Sequence, residues 1–279
     1  MVFKNQKKIN PEIIQRSQHN IDPKLIDKDA KEVINSLESA GFDAFVVGGG
    51  VRDLLLGKKP KDFDVATNAT PEEIKKTLPR SRIIGRRFKL VHFRRGRNLI
   101  EVATFRSSDK KRVSKNQQGR VLRDNVYGNI REDAFRRDFK INALYLNVNN
   151  LEIIDYTGGF KDLKERKLTC IGDSDVRFRE DPVRTIRAIR FMAALDLKCE
   201  ESLKSNISKF AHLLEGVPSA RRYEEVLKLF LTGSAVKVLN QLISYDVLRY
   251  LLPGTAKSLK DKESGHQSLK FINLSLNNS

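Results

Sequence analysis

Hydrophobic residues recur along the first half of the chain with two different periods, which predict helices alternating with strands. Apolar positions at helical spacing predict a helix over 26–40, which Gly41 ends: Ile26, Ala30, Val33, Ile34 and Leu37. Short apolar runs predict strands at 45–47, 89–94 and 99–105, the last two joined by a turn. Thr70, Pro71 and Glu73 have the spacing of a capping box and predict another helix to Leu78.

The second half of the chain is dominated by helical periodicity. Its pattern predicts a helix over 132–146, a short strand from Leu151, and further helices at 201–213, 219–231 and 234–245. We expect Asp181 to cap a helix whose first residue is Pro182, and Ser219 to cap another. Beyond Arg177 we expect only helices. This order predicts the fold class α+β, with a mixed sheet and helices followed by an all-α domain.

Charge and cysteine content narrow the functional classes. The 53 Lys and Arg residues exceed the 35 Asp and Glu residues, which gives a formal net charge of +18 and predicts a polyanionic partner. No apolar run is long enough for a transmembrane helix, and the first twenty residues contain no signal-like apolar segment. Cys170 and Cys199 form no CxxC pair, so we expect neither a disulfide framework nor a zinc site. A reduced, cytoplasmic setting is expected.

The chemistry is concentrated in residues 45–65, which read FVVGGGVRDLLLGKKPKDFDV. Glycines after a strand let the backbone approach a phosphate closely and leave its N–H groups to donate. Asp62 and Asp64 are two residues apart on a predicted strand, so both carboxylates point to one face and can share a hard cation. A phosphate cradle and a metal pair in one unit predict phosphoryl-group chemistry, although either feature alone is more often a loop or a solvated strand end.

Glu101 is the one carboxylate in the otherwise apolar run LIEVATF. A carboxylate in a buried central strand is costly unless a charged group meets it. Two interpretations follow from the residues alone. Glu101 either belongs to the metal site or lies on an edge strand and faces water.

The pattern G-G-x-V-R-D, eight residues, then D-x-D resembles the nucleotidyltransferase branch that holds bacterial poly(A) polymerases and class II CCA-adding enzymes. The resemblance continues through R-R-D-x-x-x-N at 136–142 and spans residues 12–253. It implies a nucleotidyltransferase palm and a helical neck, with nucleotide contacts from Gly48, Gly49, Arg52, Arg137 and Asn142. Asp138 would join Asp62 and Asp64 as a catalytic carboxylate, with Glu101 as the alternative third carboxylate of the metal site.

Asp181 and Arg184 form part of the element E-D-x-x-R, followed by Arg187. Three residues apart on a helix, a carboxylate and a guanidinium could together read the Watson–Crick edge of adenine. The alternative is a capping Asp with an ion pair to Arg184. The same family resemblance implies the base-selecting role and adds Arg187 to the nucleotide contacts. It implies mainly structural roles for four residues of a later helix: Arg221, Glu224, Glu225 and Lys228.

The segment Ile83–His92 resembles the poly(A) polymerase version of this region, with Arg86 and Arg87 as expected RNA contacts. The implied reaction is attack of an RNA 3′-hydroxyl on the α-phosphate of ATP, with two Mg²⁺ ions held by Asp62, Asp64 and Glu101. The alternatives are a tRNA CCA-adding enzyme and a non-catalytic RNA-binding remnant. We expect mRNA or tRNA-like 3′ ends as substrates, a monomer, and RNA-decay proteins as candidate partners.

The predicted domains are a mobile basic arm at 1–22, a catalytic domain at 23–157, a helical domain at 158–253 and a disordered tail at 254–279. A basic loop at 106–123 is expected to be flexible and is a further candidate RNA contact. Bacterial poly(A) polymerases continue past the point where the match stops, near Pro253. A truncated gene product, an assembly artefact and a compact enzyme with a weaker grip on RNA are all consistent with this ending.

Overall fold

The structure is a computed structural model that describes residues 10–85, 89–107, 114–115, 121–123, 126–231 and 233–260. The chain divides into two compact units, Met1–Leu163 and Lys164–Ser279. The division lies a few residues after the boundary predicted at 157–158. The predicted combination of a mixed sheet with helices and a following helical region is confirmed.

The first unit is built on a mixed sheet. The strands described in the chain are β1 Glu12–Ile14, β2 Ala44–Val47, β3 Phe63–Thr67, β4 Ser81–Ile84, β5 Leu90–Arg95, β6 Asn98–Thr104, β7 Ser114–Lys115, β8 Val121–Arg123, β9 Leu144–Leu146 and β10 Ile153–Asp155. Eight of these described strands form one sheet in the order β1-β10-β9-β2-β3-β6-β5-β4, and β7 pairs with β8 separately. Only β3 and β6 run parallel among the described pairs of the large sheet, and this pair lies near its centre.

One face of the sheet carries the hydrophobic core of the first unit. The helices described here are α1 Lys28–Ser39, α2 Gly49–Leu55, α3 Pro71–Thr77, α4 Ile130–Arg136 and α5 Gly159–Lys164, the last reaching the boundary between units. Helices α1, α2 and α3 bury apolar side chains against that face, including Ile34, Leu54 and Ile74. The predicted capping box is present at α3, where the Thr70 side chain accepts from the Glu73 N–H and the Glu73 carboxylate accepts from the Thr70 N–H.

The opposite face of the sheet is partly aromatic and partly charged. Phe45, Phe105 and Tyr145 contact one another there, with ring centroids 6.2–6.4 Å apart. Val47 is paired with both Tyr145 and Asp64, so the aromatic cluster is continuous with the strand that carries the candidate carboxylates. The alternation of side chains along each strand separates this face from the apolar core behind it.

The helix predicted over 132–146 is wrong in its second half. Helix α4 ends at Arg136, a short 3₁₀ turn spans Lys140–Asn142, and residues 144–146 form β9 between β2 and β10. Asp138 Oδ1 accepts a hydrogen bond from the N–H of Phe139 at 2.8 Å, a local bond that competes with helix continuation. Pairing with two neighbouring strands outweighs the local helical period of the sequence.

The predicted mobile arm is also wrong for residues 10–22, while residues 1–9 lie outside the described residues. Strand β1 pairs antiparallel with β10, and Ile14 and Ile21 are fully buried. Burial of these two side chains and the added backbone ladder fix the segment to the first unit. At the other end, helix α12 covers residues 253–260, so the predicted disordered tail is helical in its first part; residues 261–279 lie outside the description.

The second unit is helical, as predicted, apart from one isolated bridge between Lys167 and Lys198 in the part of the chain that is described. Its helices in this part are α6 Ser174–Glu180, α7 Val183–Leu195, α8 Glu201–Phe210, α9 Ser219–Phe230, α10 Ala235–Ser244, α11 Leu248–Leu251 and α12 Pro253–Lys260. Within the described ranges, no helix has the length and apolarity needed to cross a membrane.

Candidate active site

The glycine turn begins the candidate site. Gly48 follows β2 with φ of 74° and ψ of −126°, a backbone conformation that side chains disfavour, and α2 starts at the next residue. A Cβ atom added at Gly48 would lie 3.4 Å from Nη1 of Arg137, and one added at Gly49 would lie 3.5 Å from Nη2 of Arg52. Two guanidinium groups therefore lie next to the turn, and the positive φ of Gly48 is what favours glycine there.

Arg52, Arg137 and Asn142 converge on this turn from three separate segments. Nη1 of Arg52 donates to Oδ1 of Asn142 at 2.9 Å, while Nε and Nη2 of Arg52 contact Oδ1 of Asp53. Nη1 of Arg137 donates to the backbone oxygen of Asn142 at 3.4 Å. The structure thus brings together the residues predicted to contact the nucleotide in the first unit; the contacts themselves stay predictions.

Two residues that the sequence did not single out hold Arg137 in place. Oδ2 of Asp133 accepts from Nη2 of Arg137 at 2.8 Å and from the Tyr145 hydroxyl at 2.8 Å. Nε of Arg137 donates to the Tyr145 oxygen at 3.2 Å, and the guanidinium carbon lies 5.4 Å from the centroid of that ring. Burial by itself would raise the pKa of Asp133, but the charge of Arg137 and the hydrogen bonds from Tyr145 and Arg137 hold that pKa below its usual value.

The sequence contains a weak signal for this pair. Asp133 precedes Arg137 by four residues, which is the spacing of a helical ion pair. In the structure the Asp133 carboxylate and the Arg137 guanidinium do form this i,i+4 pair. Tyr145 gives no such signal, because its position depends on β9 pairing with β2 where the sequence pattern predicted a helix.

The candidate carboxylates lie in a row across neighbouring strands. Asp64 on β3 is directly paired with Glu101 on β6, so the two side chains project from the same face of the sheet. Asp62 precedes β3 by one residue and is two positions from Asp64. Glu101 therefore lies on a central strand, so of the two interpretations the edge strand is wrong.

The electrostatics of Asp64 reflect this row. Desolvation within the site, followed by repulsion from the charge of Glu101 and to a smaller extent of Asp62, raises the pKa of Asp64 to about 6, although Arg137 acts in the opposite direction. Its side chain is accessible at the surface, so the carboxylate is open to a ligand from solvent. A bound cation would relieve the repulsion, so the chemistry of the row fits a cation.

The row of carboxylates does not by itself form a complete metal site in the part of the chain that the structure describes. Within the ranges that the structure describes, no three His, Cys, Asp or Glu side chains are gathered closely enough to form a metal site. Carboxylate oxygens on one strand face are nevertheless the ligand type that Mg²⁺ prefers, and Mg²⁺ is often held by one or two protein carboxylates together with substrate phosphates. The residues present therefore fit a cation whose coordination is completed by a nucleotide.

Asp138 has a different environment from the row. Its side chain is buried, and Oδ1 accepts from Nδ2 of Asn142 at 3.3 Å as well as from the N–H of Phe139. Asp138 thereby orients Asn142, which in turn accepts from Arg52. Its assignment as a third catalytic carboxylate stays a prediction.

In the second unit, Asp181 is not the helix cap that the sequence predicted. It lies at the C-terminal end of α6, Pro182 precedes the first residue of α7, and α7 has no side-chain cap. Oδ2 of Asp181 contacts Nη2 of Arg221 on α9 at 2.8 Å. Oδ1 is buried and has no hydrogen-bond partner among the described residues, an arrangement that is costly unless a water molecule or a ligand supplies a donor. Ser219 likewise is the first residue of α9 and not its cap.

Arg184 and Arg187 lie on α7 and are held by different partners. Nη1 of Arg184 donates to the backbone oxygen of Arg177 at 3.0 Å and lies 3.7 Å from Oε2 of Glu180. Glu225 of α9 is buried and lies 3.8 Å from each of Arg187 and Arg190, and 3.6 Å from Lys228. The contacts of Glu225 with Arg187 and Arg190 tie α9 to α7, whereas Lys228 pairs with Glu225 within α9 and Arg221 reaches Asp181 at the end of α6. Glu224 is exposed.

Several predicted contacts cannot be compared with the structure. Arg86 and Arg87 lie outside the described residues, as does most of the basic loop at 106–123. Their proposed RNA contacts stay predictions from the sequence.

Comparison with known proteins gives two family matches in different parts of the chain. Residues 44–169 match the family described as "Poly A polymerase head domain", and residues 196–259 match "Probable RNA and SrmB- binding site of polymerase A". The chain belongs to the poly(A) polymerase family. The first match contains the glycine turn, the carboxylate row, Arg137 and Asn142, and the second contains α8 to α11.

Relatives within and near the poly(A) polymerase family cover most of the chain. It is 47% identical over 257 residues to Poly(A) polymerase I of Haemophilus influenzae, covering 90% of this chain and 57% of the relative. It is 37% identical over 225 residues to the CCA-adding enzyme of Lactococcus lactis, covering 80% of this chain and 55% of that enzyme. The chain thus spans little more than half the length of the curated relatives it matches.

The fold is also that of solved nucleotidyltransferases. The CCA-adding enzyme of Bacillus stearothermophilus in complex with CTP superposes with a TM-score of 0.69 at 31% identity, covering 85% of this chain and 57% of the other. This poly(A) polymerase family member therefore shares its architecture with enzymes that add CCA.

Proposed function

We propose that this chain is a template-independent polynucleotide adenylyltransferase that adds AMP from ATP to RNA 3′ ends and releases pyrophosphate. The observation that carries the proposal is the pairing of Asp64 with Glu101 beside a glycine turn lined by Arg52 and Arg137. The first unit thus contains carboxylates that would bind cations and, next to them, guanidinium groups that would bind phosphates. The 47% identity to Poly(A) polymerase I over most of the chain supports adenylate addition.

The residues of the first unit divide the work of phosphoryl transfer. Asp62, Asp64 and Glu101 would hold Mg²⁺, which when bound would lower the pKa of the RNA 3′-hydroxyl and neutralise charge on the triphosphate. Arg52 and Arg137 orient phosphate oxygens through their fixed donors, and the glycine turn lets the backbone approach them. Positioning and charge stabilisation account for most of the rate in such reactions. We favour Glu101 over Asp138 as the third carboxylate because Glu101 is in register with Asp64.

Base selection is assigned to the second unit. We propose that Oδ1 of Asp181 accepts from the adenine amino group and that Arg184 donates to a ring nitrogen, with Arg187 contacting the nucleotide. The support is Oδ1 of Asp181, which is buried and has no hydrogen-bond donor among the described residues. We propose RNA binding because the net charge is +18, because Arg86 and Arg87 are basic, and because residues 196–259 match a probable RNA-binding family. A monomer, a cytoplasmic setting and RNA-decay partners are retained as proposals.

A second candidate function is CCA addition to tRNA. It is favoured by the 37% identity to a CCA-adding enzyme and by the shared fold. The 47% identity to Poly(A) polymerase I makes adenylate addition the better supported of the two.

One assay separates these functions. The purified chain is incubated with Mg²⁺, each nucleotide alone or all together, and either an unstructured RNA or a tRNA that lacks its CCA end. Long products from ATP alone on the unstructured RNA support the proposal. Addition that stops after C, C and A on the tRNA supports the alternative. RNA binding without extension on either substrate would contradict both and support a non-catalytic RNA-binding protein.

A further inference from the structure

His92 lies next in the row of side chains that contains the candidate carboxylates. On β5 it is directly paired with Glu101 of β6, which is paired in turn with Asp64 of β3. The order across three adjacent strands is therefore His92, Glu101, Asp64, with all three side chains on one face. His92 has no part in the function proposed above.

We propose that His92 is a positioning residue for Glu101, and that its imidazole N–H restrains the carboxylate beside Asp64 for cation binding. The inference rests on the proposed function, since it gives His92 a role in the same cation site. Nε2 of His92 lies 3.1 Å from Oε1 of Glu101, a hydrogen-bonding distance. With Glu101 ionised, the ring nitrogen is the donor and the carboxylate oxygen accepts.

The restraint matters because Glu101 has little else to hold it. Among the described residues, His92 is the one side chain that donates a hydrogen bond to Glu101. The Glu101 side chain is 45% exposed and has three rotatable bonds, whereas the His92 ring is 23% exposed. Strand β5 is paired on both sides, with β4 and β6, so the ring projects from a fixed backbone.

An imidazole suits this task better than a permanently charged donor. A lysine or arginine in contact with Glu101 would neutralise its charge and compete with a divalent cation for the carboxylate. A neutral imidazole fixes one oxygen and leaves the negative charge available. Hydrogen-bond partners of metal-binding groups act in this way, and their loss typically costs about 10- to 100-fold in metal affinity or activity.

The test measures cation affinity directly. Mn²⁺ is titrated into the purified full chain with a non-hydrolysable ATP analogue, and free Mn²⁺ is followed by electron paramagnetic resonance. The variants are His92→Gln, whose amide reaches the Nε2 position, and His92→Asn, which is of similar polarity but too short. We expect His92→Asn to weaken Mn²⁺ binding by about 10- to 100-fold and His92→Gln to recover most of the affinity. Arg94→Gln, an exposed change on the same strand, is the matched control.

A double-mutant cycle separates positioning from general disturbance of the sheet. If His92 acts through Glu101, His92→Asn causes no further loss of Mn²⁺ affinity once Glu101→Gln is present. Equal losses in both backgrounds would overturn the inference, and so would wild-type affinity in both His92 variants. Thermal midpoints of all variants show whether unfolding contributes, and the Gln–Asn contrast remains readable if both are destabilised alike.

The outcome for the proposed function is read separately, from AMP addition by the wild-type chain. A wild type that extends RNA with ATP while His92→Asn keeps full Mn²⁺ affinity would overturn the role of His92 alone. A wild type that binds Mn²⁺ but extends no RNA would contradict the proposed function.

Discussion

The two units position their candidate functional groups by different means. In the first unit, Asp64, Glu101 and His92 are aligned by the backbone hydrogen bonds of three paired strands. In the second, Asp181, Arg184 and Arg187 are held by side-chain contacts between or within helices, such as Asp181 with Arg221 and Arg187 with Glu225. In a β-ladder, backbone hydrogen bonds hold paired residues at a nearly fixed spacing. Ion pairs between helices can exchange partners.

This difference suggests a division of labour. The rigid row suits chemistry common to all nucleotides, because the triphosphate and the cations have the same geometry whatever the base. The helical network is where we propose that bases are selected, because Oδ1 of Asp181 has no hydrogen-bond partner among the described residues. The comparison predicts that changes in the row abolish all nucleotide addition and that changes in the helices alter the preference among nucleotides.

The largest expected effect is on the row. Asp64→Asn should lower AMP addition about 100-fold or more, the loss typical of removing a group that stabilises transition-state charge. The measurement is the initial rate of primer extension with ATP, with circular dichroism to verify folding. Asp43→Asn, an exposed carboxylate just before β2, is the control and should keep the wild-type rate. If Asp64→Asn kept more than about a tenth of the wild-type rate, the carboxylate row of the first unit would not be required for nucleotide addition.

The next largest effect tests the helical unit. Arg184→Ala should narrow the preference for ATP over CTP by about 10- to 150-fold, because a hydrogen bond to a charged group contributes about 1.5–3 kcal/mol. The ratio of kcat/KM for the two nucleotides is the measurement. Arg179→Ala removes an exposed arginine of α6 that pairs with Asp175, and it should leave the ratio unchanged. Equal losses with all four nucleotides would mean that Arg184 has a structural role only.

A smaller effect is expected on stability. Tyr145→Phe removes the hydroxyl that donates to Asp133 and should lower the free energy of unfolding by about 1.5–3 kcal/mol, because the buried carboxylate keeps its bonds from Arg137 but loses this one. Denaturant titration measures this difference. Tyr156→Phe, a partly exposed tyrosine of the same unit, is the matched control. Equal stability of the Tyr145 variant and wild type would show that Asp133 does not depend on the hydroxyl.

The smallest effect concerns pH. Because the pKa of Asp64 is raised to about 6, the folded chain holds this proton more tightly than the unfolded chain does. As pH rises from the unfolded pKa of Asp64 to about 6, its contribution to stability therefore falls. Above about pH 6 the folded chain bears the full cost of holding this carboxylate ionised. Asp64→Asn removes the charge and should raise the thermal midpoint in metal-free buffer near neutral pH, with little effect near pH 4. The same shift at both pH values would contradict the assigned cause.

The sequence predicted much of the sheet and of the site, for identifiable reasons. Strands β5 and β6, the capping box at Thr70 and the position of Asp64 on a strand follow from local patterns. The helical nature of the second unit also follows from periodicity. These features depend on residues close to one another in the chain.

The failures have a common physical origin. Strands β1 and β9 form because they pair with distant segments, and neither pairing is visible in the local pattern. The partners of Asp181 and Arg137 likewise come from other elements, Arg221 on α9 and Tyr145 on β9. His92 acquires its neighbour only through the register of β5 with β6. Interactions set by strand register or by packing between helices require the folded structure.

The central claim is that Asp62, Asp64 and Glu101 form one cation site for an incoming nucleotide. The most direct measurement is the number of Mn²⁺ ions bound per chain in the presence of a non-hydrolysable ATP analogue, for wild type and for Asp64→Asn. The account predicts two ions for wild type, as in two-metal sites, and loss of tight binding in the variant. An unchanged number of ions and unchanged affinity in Asp64→Asn would contradict it.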